Sequence, residues 1–112
     1  MILKNIKHSE VLILKNLVAY AEGQVVSKTL IQNDSVGITL FAFAKGEGIS
    51  THESGGDALV TALDGVGKIT IAGEDFILHA GESIVMPAKT PHAVYGEENF
   101  KMLLVVAFPE KI

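Results

Sequence analysis

Short apolar runs alternate along the chain with corners marked by glycine, asparagine and proline, and most of the runs carry the two-residue period of a strand. Val25–Gln32 and Val36–Ala44 are rich in Val, Ile, Thr and Phe, and Asn33-Asp34-Ser35 between them reads as a turn. Ile49–Glu53 is short, with polar residues at alternate positions. Ala58–Leu63 follows a Gly-Gly-Asp turn, and Lys68–Ala72 follows Asp64-Gly65-Val66-Gly67. Gly73-Glu74-Asp75 leads into Phe76–Leu78, and Ala80-Gly81-Glu82 leads into Ser83–Met86. Pro87 and Pro91 bracket a connection before Ala93–Tyr95, and Gly96–Asn99 turns the chain into Phe100–Phe108. The pattern predicts about nine short strands at near-regular spacing, the signature of a sandwich or barrel. One segment differs. Leu14, Leu17, Val18 and Ala21 have helical spacing and Gly23 follows as a stop, which predicts a short helical turn over Leu14–Tyr20.

Composition narrows the class without changing this picture. With 112 residues, 48% of them apolar and 20% charged, the chain reads as one ordered domain over 1–112. It has no cysteine, which excludes a disulfide framework and any thiolate metal site. The net charge of −4 and the lack of a Lys/Arg block argue against nucleic acid and anionic membrane surfaces. Met102–Phe108, the longest apolar run, is too short to span a bilayer, and residues 1–20 lack a secretory pattern. A cytoplasmic protein is expected.

The candidate chemistry lies in two stretches. The first runs from Gly46 through His52, Ser54, Asp57 and Ala58 to Gly65; the second runs from Gly81 through Pro87, Lys89, Pro91 and His92 to Gly96. Together they resemble the two motifs of the cupin family, over roughly residues 36–108. In the first motif Gly46, His52 and Gly65 match, whereas Ser54 stands at the second histidine position and Ala58 at the glutamate position. In the second, Gly81, Pro87 and His92 match, whereas Lys89 replaces a glycine and Gly96 an asparagine. The resemblance implies an all-β fold, the double-stranded β-helix or jelly-roll barrel of a small single-domain cupin, preceded here by the N-terminal helical turn. It also implies a metal motif that is incomplete. Family members commonly hold a divalent metal with three histidines and a carboxylate, and only His52 and His92 remain as candidate metal ligands.

Strand parity puts Ser50, His52 and Ser54 on one face, and turns Glu53 and Asp57 the other way. His52, His92, Ser54, Ala58 and Met86 are therefore the expected ligand-binding set, lining a cavity inside the barrel. Small residues such as Ala58 and Ala62 leave room there, or else fill a taper beside Phe41 and Phe43. The imidazoles bind an anion or carbonyl, shuttle a proton, or serve only as hydrogen-bonded structure. Tyr95 should point away from the cavity. Tyr20 would lie over one mouth if the N-terminal segment packs there. His8 and His79 read as solvated, Lys89 as a loop lysine, and Met102 as core. Gly46-Glu47-Gly48 lacks the helix and lysine of a phosphate loop.

Three functions fit these residues. The first is a binding module for a small molecule, with a weak divalent metal or none. The second is a metal-dependent dioxygenase, isomerase or decarboxylase in which a non-family donor joins His52 and His92. The third is a metal-free acid–base epimerase or isomerase. Exposed strand edges and the apolar Val11–Leu14 and Met102–Phe108 segments predict a homodimer.

Overall fold

The protein is described by a computed structural model in which residues 2–110 are placed. Seven strands carry the fold: β1 (Val25–Gln32), β2 (Val36–Phe43), β3 (Gly48–His52), β4 (Asp57–Ile71), β5 (Glu74–His79), β6 (Ser83–Met86) and β7 (His92–Ala107). All pairings are antiparallel. The strand order is β1-β2-β7-β4-β5, with β3 on β7 and β6 on β4. The architecture is the cupin-type β-barrel expected from the sequence.

Two expected corners are bends rather than chain reversals. Asp64–Gly67 lies inside β4 and Gly96–Asn99 inside β7, so there are fewer and longer strands than the punctuation suggests. The two long strands pair from Asp57↔Ala107 to Ile71↔His92, with irregularities between Ala62 and Asp64 and between Gly65 and Gly67. One half of this ladder carries β2, β1 and β6, and the other half carries β3 and β5. Bulges bend a sheet at the point where pairing slips, so a single ladder serves two facing layers. Glycine is required at the bend. Gly65 has φ +73°, and a Cβ there would strike the Asn99 carbonyl; a Cβ on Gly67 would strike the Phe100 ring.

Smaller corners follow local rules. Asn33 Oδ1 accepts from the Ser35 and Val36 amides, at 2.8 and 2.9 Å, and closes the β1–β2 turn. Ala72 and Gly73, both at positive φ, form the two-residue loop between β4 and β5.

The interior alternates with the strands. Phe43, Val60, Ile69, Phe100 and Met102 are fully buried between the layers. Phe43 stacks on Phe100 with centroids 5.9 Å apart, and Phe41 stacks on Phe43 at 5.6 Å. A second cluster, Val18, Leu30, Leu40 and Ala42, lies on the outer face of β1 and β2, with Leu14, Leu17 and Tyr20 packed against it. The helical signal at Leu14–Tyr20 yields only a 3-10 turn, Leu14–Leu17. Val18 is already extended, because its side chain is drawn into this cluster. Tyr20 thus sits on the outer face and not over a cavity mouth. Its hydroxyl donates to Asp64 Oδ2 at 2.6 Å, and the Lys101 ammonium lies over its ring. Burial and the adjacent carboxylate push the phenol above its ordinary range. Within Val11–Leu14, Val11 and Ile13 are exposed, whereas Leu14 packs inward.

The bend gives a stability test. Gly67→Val is expected to lower the urea unfolding free energy by about 1–3 kcal/mol through overlap with the Phe100 ring. Adding Phe100→Leu should change stability non-additively, with less loss than the two single changes summed. Strict additivity would show that the two positions do not touch.

Candidate ligand cavity and histidine pair

Between the layers lies a cavity of about 300 Å³, at the small end of ligand sites. Phe41 and Met102 line it from the filled part of the interior, and Leu104 and Val106 continue along β7. His52, His92, Ser54, Ala58 and Met86 all border this one space. Ala58 and Met86 are register partners on β4 and β6, and both are buried. Gln32, Ile49, Val94 and Phe108 also reach the cavity and were absent from the expected set. Alternation along β7 was the available signal: Met102, Leu104 and Val106 face inward, which leaves Leu103 and Val105 for the outer face.

Parity failed at β3. Its pairing with β7 slips between Ile49 and His52. Ile49 and His52 therefore both face the cavity, whereas Ser50 lies in a shallow groove on the opposite face. The strand ends at His52, so Glu53 escapes the alternation and stands at the cavity rim, contrary to expectation. Asp57 faces away. Its Oδ1 accepts from the Ala88 amide at 2.8 Å, and the Ser54 carbonyl accepts from the Lys89 amide at 2.8 Å. These two bonds join the β3–β4 and β6–β7 loops beside the histidines. Lys89 adopts φ +59° at the position where the family has glycine. Tyr95 points outward under the Lys68 ammonium. His79 pairs with Glu82, and His8 contacts the Leu3 carbonyl; both are exposed.

His52 and His92 are cross-strand partners at the joined ends of β3 and β7. His92 is 3% exposed and His52 lies open at the mouth. Their rings meet edge to face, and the two Nε2 atoms stand 3.2 Å apart. His52 Nδ1 is 2.9 Å from the Ser50 carbonyl, and His92 Nδ1 is 3.1 Å from the Thr90 carbonyl. A carbonyl only accepts, so both Nδ1 atoms carry the ring proton. The two Nε2 atoms then meet each other across the pair. Burial and the neighbouring His52 together hold His92 below the ordinary histidine range, against weaker opposite pulls from the Thr90 carbonyl and Glu53. Among the described residues, no lysine or arginine borders the cavity. The histidine pair, with Gln32, Glu53 and Ser54, forms the polar part of a lining that is otherwise apolar.

A barrel with such a chamber between its layers and histidines at its mouth is a cupin-type domain, and the family model for the cupin domain matches residues 39–108. The chain belongs to the cupin family. It is similar to the structure of a conserved protein of unknown function from Streptococcus pyogenes, with 46% identity, TM-score 0.96, and coverage of 99% of this chain and 97% of that one. It is also similar to a cupin superfamily protein from Desulfitobacterium hafniense, with 37% identity, TM-score 0.90, and coverage of 96% and 98%. A cupin 2 conserved barrel domain protein from Leptotrichia buccalis shares 48% identity over 83% of this chain, at TM-score 0.81; that match spans 45% of the longer protein. No curated protein matches this chain.

The family's metal centre can be tested against these donors. Ala58 brings no donor atom, and Ser54 Oγ accepts from the Gly56 amide at 3.2 Å. Among the described residues, no group of three or more His, Asp or Glu side chains could hold an ion. Two imidazoles are half of a closed tetrahedral set, so the donors present do not fit a resident metal. Protein made without a histidine tag, loaded with Zn²⁺ or Ni²⁺ and then desalted, should retain well under one equivalent by elemental analysis. A full retained equivalent would contradict this account.

The depressed His92 pKa has a sign. The unfolded chain takes up this proton near pH 6.5, before the folded protein does. Stability is intact above that pH, falls as pH drops through it, and the loss is complete below the folded-state value. In urea titrations between pH 8 and pH 5, His92→Gln should show a shallower loss than the parent. Equal slopes would mean that His92 is not held neutral.

Proposed function

We propose that this cupin binds a small molecule, its polar head at His52 and His92 and its apolar body against Met86, Met102 and Leu104, without a resident metal. The observation that carries this reading is the convergence of two imidazoles on the mouth of a largely apolar chamber. A ligand head that hydrogen-bonds the imidazole edges is oriented at the mouth while its body leaves water against the apolar wall. Enzyme readings draw less support. An epimerase needs an acid opposite its base, and Glu53 is at the rim rather than across the chamber. A metal-dependent reaction needs donors beyond the histidine pair.

Methionine methyl resonances supply the test, because Met86 and Met102 both border the chamber. A panel of compounds with about ten to fifteen heavy atoms, sized to the cavity, should include binders that shift both methyl signals. The His52→Ala/His92→Ala double variant should keep its circular dichroism and lose the polar binders. A folded double variant that binds every compound unchanged would remove the histidines from the site. An unfolded one would make them structural.

A further inference from the structure

We propose that a second copy of this chain covers the outer face of the β2-β7-β4-β6 layer, in a two-fold pair where the exposed N-terminal segment of each protomer lies against that face of the other. The face is on the far side of β4 and β7 from the cavity. A cross-strand row joins Ile38 to Val105, Val105 to Leu59 and Leu59 to Val85. Leu59 is 42% exposed and Val85 51%. The next row is Leu40, Leu103, Thr61 and Ser83. Leu14 and Leu17 cover its Leu40 and Leu103 end, and this cover stops short of Leu59 and Val85, which belong to neither buried cluster. A sheet with one face in water alternates apolar and polar residues. Here β7 runs Leu103-Leu104-Val105-Val106 instead, the pattern of a strand covered on both sides.

The N-terminal segment carries the matching surface. Val11, Leu12, Ile13 and Leu14 alternate between exposed and half-buried, and Ile13 has extended backbone. Leu14 packs on the covered end of the face, so Val11 and Ile13 turn away from their own protomer, and both are exposed. Ile6 and Leu14 both pack on this layer, which keeps the segment between them beside the bare row. One side of the protomer thus holds an apolar row and an apolar segment, neither of them covered. An isologous contact sets the two against each other twice. It also brings each surface against its own copy, which penalises charge. The chain carries a net charge of −4, yet the two rows across β2, β7, β4 and β6 contain no charged residue. Area points the same way. Four strands make the row only about 15 Å wide. A stable pair takes about 800 Å² from each partner, roughly an eighth of the 6624 Å² surface. The contact therefore has to take in the segment as well as the row.

Sedimentation equilibrium across a micromolar dilution series tests this. The parent protein should have twice the 11.9 kDa chain mass. Leu59→Lys/Val85→Lys and Val11→Lys/Ile13→Lys should each weaken pairing at least about a hundredfold. Ile77→Lys, at an exposed position of β5 in the other layer, should leave pairing unchanged. A parent that stays monomeric at high micromolar concentration would overturn the inference and leave the face to a different partner. A pair that survives either double change, or is lost in Ile77→Lys, would overturn it too. Should a lysine variant lose its circular dichroism, the contact is read on the unaltered face. The chain has no cysteine, so a nitroxide at the exposed position Glu10→Cys reports from a single site. Mixed with isotope-labelled parent, the nitroxide protein should broaden the Leu59 and Val85 amide signals of the other chain. Mixed dimers without that broadening would place the contact elsewhere and end the proposal.

Discussion

The β4–β7 ladder is the constraint on which everything else rests. One antiparallel pairing runs from Asp57↔Ala107 to Ile71↔His92 and passes through both layers of the barrel. Its lower half sets Ala58 and Met102 on the cavity wall; its upper end sets His92 at the mouth, next to β3 and His52. The layers cannot shift past one another, because the same two backbones belong to both. The bend between them depends on Gly65 and Gly67, which let the Asn99–Phe100 segment approach without side chains in the way. The separation of the layers, and so the size of the chamber, is a consequence of that bend.

Several parts of this arrangement were legible in the amino-acid pattern. Val25–Gln32 and Ser83–Met86 end where their turn residues say they should. The Gly46–His52–Gly65 and Gly81–Pro87–His92 frames led to the barrel and to one shared space for the histidines. Three features were not legible, each for a physical reason. Glycine marks both reversals and bends, so Asp64–Gly67 read as a corner although pairing continues through it. Parity holds only while pairing is regular, and the slip between Ile49 and His52 exchanged Ser50 for Ile49 on the inner face. Helical spacing at Leu14–Tyr20 competed with burial of Val18 against β1 and β2, and packing prevailed over a marginal local preference.

The loops beside the histidines show how substitutions within a family frame redistribute work. Asp57, one place before the family's carboxylate position, uses Oδ1 to hold the Ala88 amide. Lys89, where glycine is usual, keeps a left-handed backbone and gives its amide to the Ser54 carbonyl. A left-handed lysine costs about 1 kcal/mol or more, and this cross-loop hydrogen bond offsets part of that. The two loops are thereby joined beside the histidines that flank them. The imidazoles, 3.2 Å apart at Nε2, are oriented by their bonds to the Ser50 and Thr90 carbonyls.

That orientation bears on what the absence of donors at Ser54 and Ala58 does to the site. A centre with four protein donors holds its ion whether or not a ligand is present. Here the carboxylate position is a methyl group, and the two remaining nitrogens already have their other ring atoms bonded to carbonyls. Those bonds fix the orientation of both rings, and the two Nε2 atoms meet each other at 3.2 Å. Polar groups held in place in this way reduce the ordering cost of binding. On the proposed reading, selectivity resides in how a ligand head meets the imidazole pair, while the apolar wall of Met86, Met102 and Leu104 contributes area without discriminating among stems of similar size.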